Sequence, residues 1–174
     1  MRLYLIGYMA TGKSTIGRKV AKRTELPFFD TDKMVEEMEG AECADIITYA
    51  GEEYFRGAER RALEMTAEES NAIISTGGGL PIWGDNHDWI ANHGVSVYLK
   101  RTPEQILSRL SPHGRQKRPK FRGLNDEELL QFMHTHLAER EPIYMKADMV
   151  MDCSLLNDWE IVDRLCDYIK SGDE

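Results

Sequence analysis

At 174 residues and a formal net charge of −8, the chain has the length of one domain and the balance of an acidic protein. A composition 41% hydrophobic and 30% charged is ordinary for a globular chain, and the acidity argues against a dedicated nucleic-acid binder. No apolar run approaches the roughly 20 residues that span a bilayer, and no signal-peptide pattern opens the chain, so a cytoplasmic protein without a membrane partner is expected.

In chain order, the apolar run Leu3-Tyr4-Leu5-Ile6 predicts a first strand, which empties into Gly7-Tyr8-Met9-Ala10-Thr11-Gly12-Lys13-Ser14-Thr15. That segment fits G-x-x-x-x-G-K-[ST], the phosphate-binding P-loop, in the strand–loop–helix setting the motif needs. The spacing has a chemical reason. Gly7 and Gly12 let the backbone close around an anion, and the following helix begins with unpaired N–H groups facing the phosphates. Ala10, Thr11, Gly12, Lys13, Ser14 and Thr15 are thus the expected ATP contacts, with Lys13 on the β- and γ-phosphates and the Ser14 hydroxyl on Mg²⁺. A nucleoside-triphosphate-binding chain is expected.

A helix follows from Ser14 to Arg23, and Pro27-Phe28-Phe29 predicts a short strand that stops at Asp30-Thr31-Asp32. Two readings stand for this acid pair. One carboxylate caps the next helix; or, beside a P-loop, one supports the Mg²⁺ hydration shell while the other receives or orients the proton of an attacking hydroxyl. Met34, Val35 and Met38 mark a short helix ended by Gly40, and Ala44, Ile46, Ile47 and Ala50 another ended by Gly51. Glu52 to Glu69 predicts a longer helix with Phe55, Ala58, Ala62 and Met65 along one side. Arg56 stands near its start, the unfavourable end of the dipole for a cation, which hints at function although a surface arginine is the plainer reading.

Ala72-Ile73-Ile74-Ser75 reads as a buried strand that runs into Thr76-Gly77-Gly78-Gly79. Three consecutive glycines cost chain entropy, so this loop is expected to face a ligand at close approach. Trp89 and Ile90 belong to a short helix, Val95 to Leu99 to a strand, and Thr102-Pro103-Glu104 opens a helix carrying Ile106, Leu107 and Leu110. Arg115, Lys117, Arg118, Lys120 and Arg122 then concentrate positive charge among Gly114, Pro119 and Gly123. In an acidic protein this short basic stretch, about residues 111–124, predicts a mobile lid that brings arginine to phosphates. The last elements are a helix from Asp126 to Met145, a strand at Met149-Val150-Met151, and an amphipathic helix with Trp159, Val162, Cys166 and Ile169. His134 and His136 lie roughly 200° apart around a helix and make no metal pair. Cys43, Cys153 and Cys166, odd in number and without CxxC spacing, are expected as buried free thiols.

Strands therefore alternate with helices, which predicts a single α/β domain over residues 1–174 with a five-stranded parallel sheet covered on both faces. The P-loop, the acid pair, the glycine loop and the lid should meet at the carboxyl ends of the strands.

In the order and spacing of Gly7 to Thr15, Asp30-Thr31-Asp32, Phe55-Arg56, Gly77-Gly78-Gly79, Arg118-Pro119 and Glu139-Arg140-Glu141-Pro142-Ile143-Tyr144, the chain resembles the shikimate kinases over essentially its whole length. The resemblance implies a three-layer α/β/α P-loop NTPase fold with strand order 2-3-1-4-5, acting as a monomer on shikimate and ATP with Mg²⁺. It implies that Lys13, Asp32 and Arg118 are catalytic, with Asp32 acting on the 3-hydroxyl. It also implies that Arg56, Arg140, Gly78 and Asp32 bind shikimate, and that Ser14 and Asp30 serve the metal. The chain departs from the family's pattern at Lys120-Phe121, commonly two leucines, and after Met151, where the Arg and Pro beside adenine are missing and Arg109 is the stacking candidate. A P-loop kinase for another small acid or polyol, such as gluconate, and a non-catalytic nucleotide-binding module are the alternative classes.

Overall fold

Side-chain alternation along the strands decides which helices cover which face. The computed structural model describes residues 1–172. In β1 (Arg2–Ile6), Leu3 and Leu5 turn to one face, and Tyr4 and Ile6 to the other. β2 (Phe28–Asp30), β3 (Ala72–Ser75), β4 (Val95–Lys100) and β5 (Met149–Asp152) join it in a five-stranded parallel sheet of order β2-β3-β1-β4-β5, as expected.

The described helices are α1 (Lys13–Thr24), α2 (Thr31–Glu39), α3 (Cys43–Ala50), α4 (Glu52–Met65), α5 (Asn86–His93), α6 (Pro103–Arg109), α7 (Pro112–Gln116), α8 (Asp126–Tyr144) and α9 (Asp158–Ser171). One face of the sheet buries Leu3, Leu5, Ile73, Val97 and Leu99 against Ile16 and Val20 of α1 and Val162 and Leu165 of α9. The other buries Tyr4, Ile6, Ile74 and Tyr98 under Leu63 of α4, Ile90 of α5, Ile106 of α6, and Met133 and Leu137 of α8. Each such aliphatic side chain contributes about 1.5–3 kcal/mol when fully buried. A smaller core of Val35, Ile46, Phe55, Ala58 and Ala62 joins α2, α3 and α4 into a separate wall.

Three expectations are corrected. The helix expected to reach Glu69 tightens to a 3₁₀ turn at Thr66–Glu68, and Thr66 takes the inward place, its hydroxyl donating to the Leu63 carbonyl at 2.6 Å. Met65 is therefore exposed rather than part of the buried stripe. Trp159 is also exposed on α9, with the Lys19 ammonium 4.3 Å from its ring centroid, because Ile161, Val162, Leu165, Cys166 and Ile169 already fill the inward face. Of the free thiols, Cys153 and Cys166 are buried, but Cys43 is half-exposed in the wall of the cleft described below.

Candidate active site

Parallel strands deliver their carboxyl ends to one edge, and the polar residues collect there. β1 leads to Gly7, β2 ends on Asp30 opposite Ser75 of β3, and β4 runs into Arg101. They border a cleft of about 540 Å³ that also takes in the triple glycine, part of α4, the basic stretch after α6 and Arg140. The P-loop folds as the glycine spacing requires: Gly12 has φ 94°, open to glycine at little strain. Ala10 sits at φ 61°, a left-handed position that costs a side-chain-bearing residue about 1–2 kcal/mol. Thr11 is buried and fixes the loop from within, its hydroxyl donating to the Tyr8 carbonyl at 2.9 Å.

Lys13 is buried and donates to the carbonyls of Gly7 and Tyr8 at 2.9 and 2.7 Å. Burial pulls its ammonium down to about 8, while Asp32 and Asp30 work in the opposite direction and Arg118 and Arg140 add to the fall. Ser14 Oγ donates to Asp30 Oδ2 at 2.6 Å and lies 3.1 Å from Ser75 Oγ. Asp30 has a second task, because its Oδ1 accepts the Asp32 N–H at 3.1 Å and caps α2. The helix-cap reading therefore belongs to Asp30. Asp32 is left free of it, facing the cleft, and burial together with the neighbouring Asp30 raises its carboxyl to about 6 against the pull of Lys13.

The glycine loop is explained residue by residue. A Cβ at Gly77 would lie 2.6 Å from Asp32 Oδ1 and 2.7 Å from Glu59 Oε1; one at Gly78 would lie 3.1 Å from the Met9 amide nitrogen; one at Gly79 would fall on the Arg56 guanidinium. Acid, P-loop and arginine each approach the backbone at one of these positions. The peptide at Gly78 is further fixed by Tyr144, buried on α8, whose hydroxyl donates to the Gly78 carbonyl at 2.6 Å.

Arg56 is buried, with Glu59 at 2.5 Å and Glu52 at 3.1 Å, so its odd position in α4 reflects a turn into the cleft. Arg140 lines the same cleft and makes no ion pair among the described residues. Arg118 lines it from the basic stretch, its Nη1 donating to the Gly114 carbonyl at 2.5 Å, and burial lowers its pKa. The basic stretch of about residues 111–124, expected as a lid, carries structure of its own, α7 and a 3₁₀ turn at Pro119–Phe121. Phe121 is fully buried with its ring 6.2 Å from that of Phe132, which accounts for a phenylalanine at the departing position. His134 meets Glu104 at 2.7 Å and His136 meets Tyr8 at 2.8 Å, so the two histidines do point apart.

Sequence reasoning missed Glu59, whose signal was its i+3 spacing from Arg56, and whose carboxyl burial raises to about 7. It also missed Arg101, buried directly after β4, which donates to the Thr11 carbonyl at 2.9 Å and pairs with Asp158 at 2.7 Å. Asp158 holds Arg109 as well, at 3.1 Å, and places that guanidinium over Gly12.

A triphosphate cradle and a buried arginine, opening on one cleft across a carboxylate that no cation pairs among the described residues, define a P-loop kinase for a small molecule. The family model described as shikimate kinase matches residues 9–170. A shikimate kinase of Bacteroides thetaiotaomicron is 36% identical over 162 residues, covering 92% of each chain. The crystal structure of shikimate kinase from that organism aligns with a TM-score of 0.88 at 35% identity, covering 98% of both chains. That of shikimate kinase from Acinetobacter baumannii in complex with shikimate aligns at 0.85 and 27% identity, covering 98% of this chain and 93% of the other. The chain belongs to the shikimate kinase family.

Proposed function

We propose that this cleft phosphorylates the 3-hydroxyl of shikimate from ATP, and that the residues brought together above divide the work. The ATP-dependent phosphorylation of shikimate follows from family membership; the assignment of roles rests on geometry. The observation that carries it is the pair of approaches to Gly77 and Gly79, which sets Asp32 and Arg56 along one backbone turn opposite the P-loop. An acceptor whose carboxylate lies on Arg56 and Arg140 then presents a hydroxyl towards Asp32, with the Gly78 N–H as a further contact.

In the transfer, the acceptor oxygen bonds to the γ-phosphorus as the bond to the β–γ bridging oxygen breaks. Asp32 takes or orients the hydroxyl proton. Lys13, Arg118 and the backbone N–H groups of Ala10, Thr11, Gly12, Lys13, Ser14 and Thr15 hold the phosphates, and Arg109 lies where it can flank the adenine. The Ser14 hydroxyl lies 2.6 Å from Asp30 Oδ2 and 3.1 Å from Ser75 Oγ, and these oxygens are hard donors of the kind Mg²⁺ prefers. Ser14 and Asp30 would hold the ion directly and through water, and bound there it would neutralise charge on the β- and γ-phosphates. The lid of about residues 111–124 carries Arg118 onto the phosphates. No described helix is long and apolar enough to cross a membrane; we take the enzyme as a cytoplasmic monomer.

Incubation with ATP, Mg²⁺ and a panel of hydroxy acids including shikimate and gluconate, followed by ADP release, tests the reading. Shikimate is expected to stimulate release far above the others. Equal stimulation by gluconate would overturn it.

A further inference from the structure

The two ion pairs on Arg56 are held in different ways. Glu59 Oε2 accepts from Nη1 at 2.5 Å with its side chain only 2% exposed, and Gly79 closes one side of the guanidinium. Withdrawing Glu59 would take the buried guanidinium's nearest partner away and leave a buried carboxyl without one, which is strongly unfavourable. Glu52 Oε1 accepts from Nη2 at 3.1 Å, but its side chain is 54% exposed. Glu52 can therefore swing into water at small cost, since its own carboxylate is half-exposed and Glu59 stays on the buried guanidinium.

Glu52 also borders the cleft together with Lys120 and Arg140. Its hydrogen bond to Arg56 is the main reason its carboxyl lies below the usual range, and Lys120 and Arg140 act in the same direction. A carboxylate on Arg56 that also feels Arg140 stands where an acceptor's carboxylate is expected to bind.

We propose that Glu52 is a displaceable stand-in for the acceptor's carboxylate, and that exchange of one carboxylate for the other on Arg56 Nη2 sets the affinity and selectivity for acidic acceptors. This rests on the reading that Arg56 and Arg140 receive the acceptor's carboxylate. The chemistry is ligand exchange at a fixed cation. An incoming carboxylate replaces Glu52 like for like and keeps the buried guanidinium paired, whereas a neutral acceptor cannot, and leaves Glu52 in its way. Glu52 Oε1 already takes one N–H of Nη2, and a second carboxylate brought against the same nitrogen meets its like charge, so Glu52 competes with the substrate that its own arginine binds.

The test is Glu52→Gln, with shikimate binding measured by calorimetry without nucleotide and KM values measured at saturating co-substrate. Shikimate Kd and KM are expected to fall about two- to fivefold, the range of a half-exposed charged pair, with the KM for ATP unchanged. Shikimate carboxamide should gain less than shikimate does. Glu53→Gln removes a neighbouring exposed helix-start charge that does not line the cleft, and should change neither constant. Unchanged or weaker shikimate binding in Glu52→Gln would overturn the exchange and make Glu52 an orienting partner, leaving Arg56 as carboxylate ligand intact. An equal gain for the carboxamide, or the same gain in Glu53→Gln, would also overturn it. Failure of the unaltered enzyme to bind shikimate would overturn the exchange and the substrate assignment together.

Discussion

Lys13 Nζ donates to the Tyr8 carbonyl at 2.7 Å and to that of Gly7 at 2.9 Å, and among the described residues no carboxylate pairs with it. The ammonium is thus held by dipoles of the loop that it serves, in a buried site that disfavours its charge.

This gives Lys13→Met opposite effects on activity and stability. Turnover should fall at least about 10²-fold, because a donor aimed at developing charge is lost. The folded chain holds the lysine proton with a pKa of about 8 against 10.5 for the ordinary group. The unfolded chain therefore binds more protons between those values, stability rises with pH across that window, and at pH 7 the full penalty of the buried charge is present. Methionine removes it, so thermal melting at pH 7 should move up. A variant with near-full turnover would refute the assignment of Lys13.

Asp32 combines a proton-accepting place with a carboxyl raised to about 6 from 3.8. The folded state binds the extra proton between those values, so the contribution to stability is full at the acid end and lost as pH rises through 6. Asp32→Asn should therefore be neutral or stabilising at pH 7–8, while turnover drops roughly 10²–10⁴-fold. In the unaltered enzyme kcat/KM should decline as pH falls below about 6, where the proton acceptor fills. Loss of melting temperature with turnover intact would return Asp32 to a structural role.

For the lid, Arg115, Lys117, Lys120 and Arg122 lie around one short helix and a 3₁₀ turn, anchored at Phe121. Trypsin should cut between Arg115 and Arg122 in the free enzyme, and an ATP analogue with shikimate should slow cleavage. Equal rates in the two conditions would count against closure.

Arg56 and Arg140 are expected to share one carboxylate. Charged hydrogen bonds contribute about 1.5–3 kcal/mol, so either Ala variant should lose on the order of 10–100-fold in kcat/KM for shikimate. Lys should rescue incompletely, because it lacks the planar fork. The two losses should be less than additive, since the loss of one arginine already lets the carboxylate shift. Nucleotide KM should barely move. On the carboxamide analogue, Arg56→Ala should cost little; a cost equal to that on shikimate would remove Arg56 as carboxylate ligand.

The sequence alone carried the elements whose signal is local. A P-loop is legible because its chemistry resides in contiguous glycines, a lysine and a hydroxyl, and the parallel sheet is legible because apolar strands alternate with helices. By its own position Arg56 was visible as an anomaly, a cation at the wrong end of a helix, and only the resemblance to the shikimate kinases gave it a ligand. What turns it into the cleft is the placement of Glu59, Glu52 and Gly79 around it, and Gly79 arrives from the loop after β3. Tertiary structure likewise decided between Asp30 and Asp32, because the cap depends on which carboxylate turns back to the helix N–H while Ser14 takes its other oxygen. Arg101 and Asp158, 57 residues apart, show the same limit. Their pairing joins β4's end to α9 and so fixes the Thr11 carbonyl, a contact set by long-range packing that no short window of residues encodes.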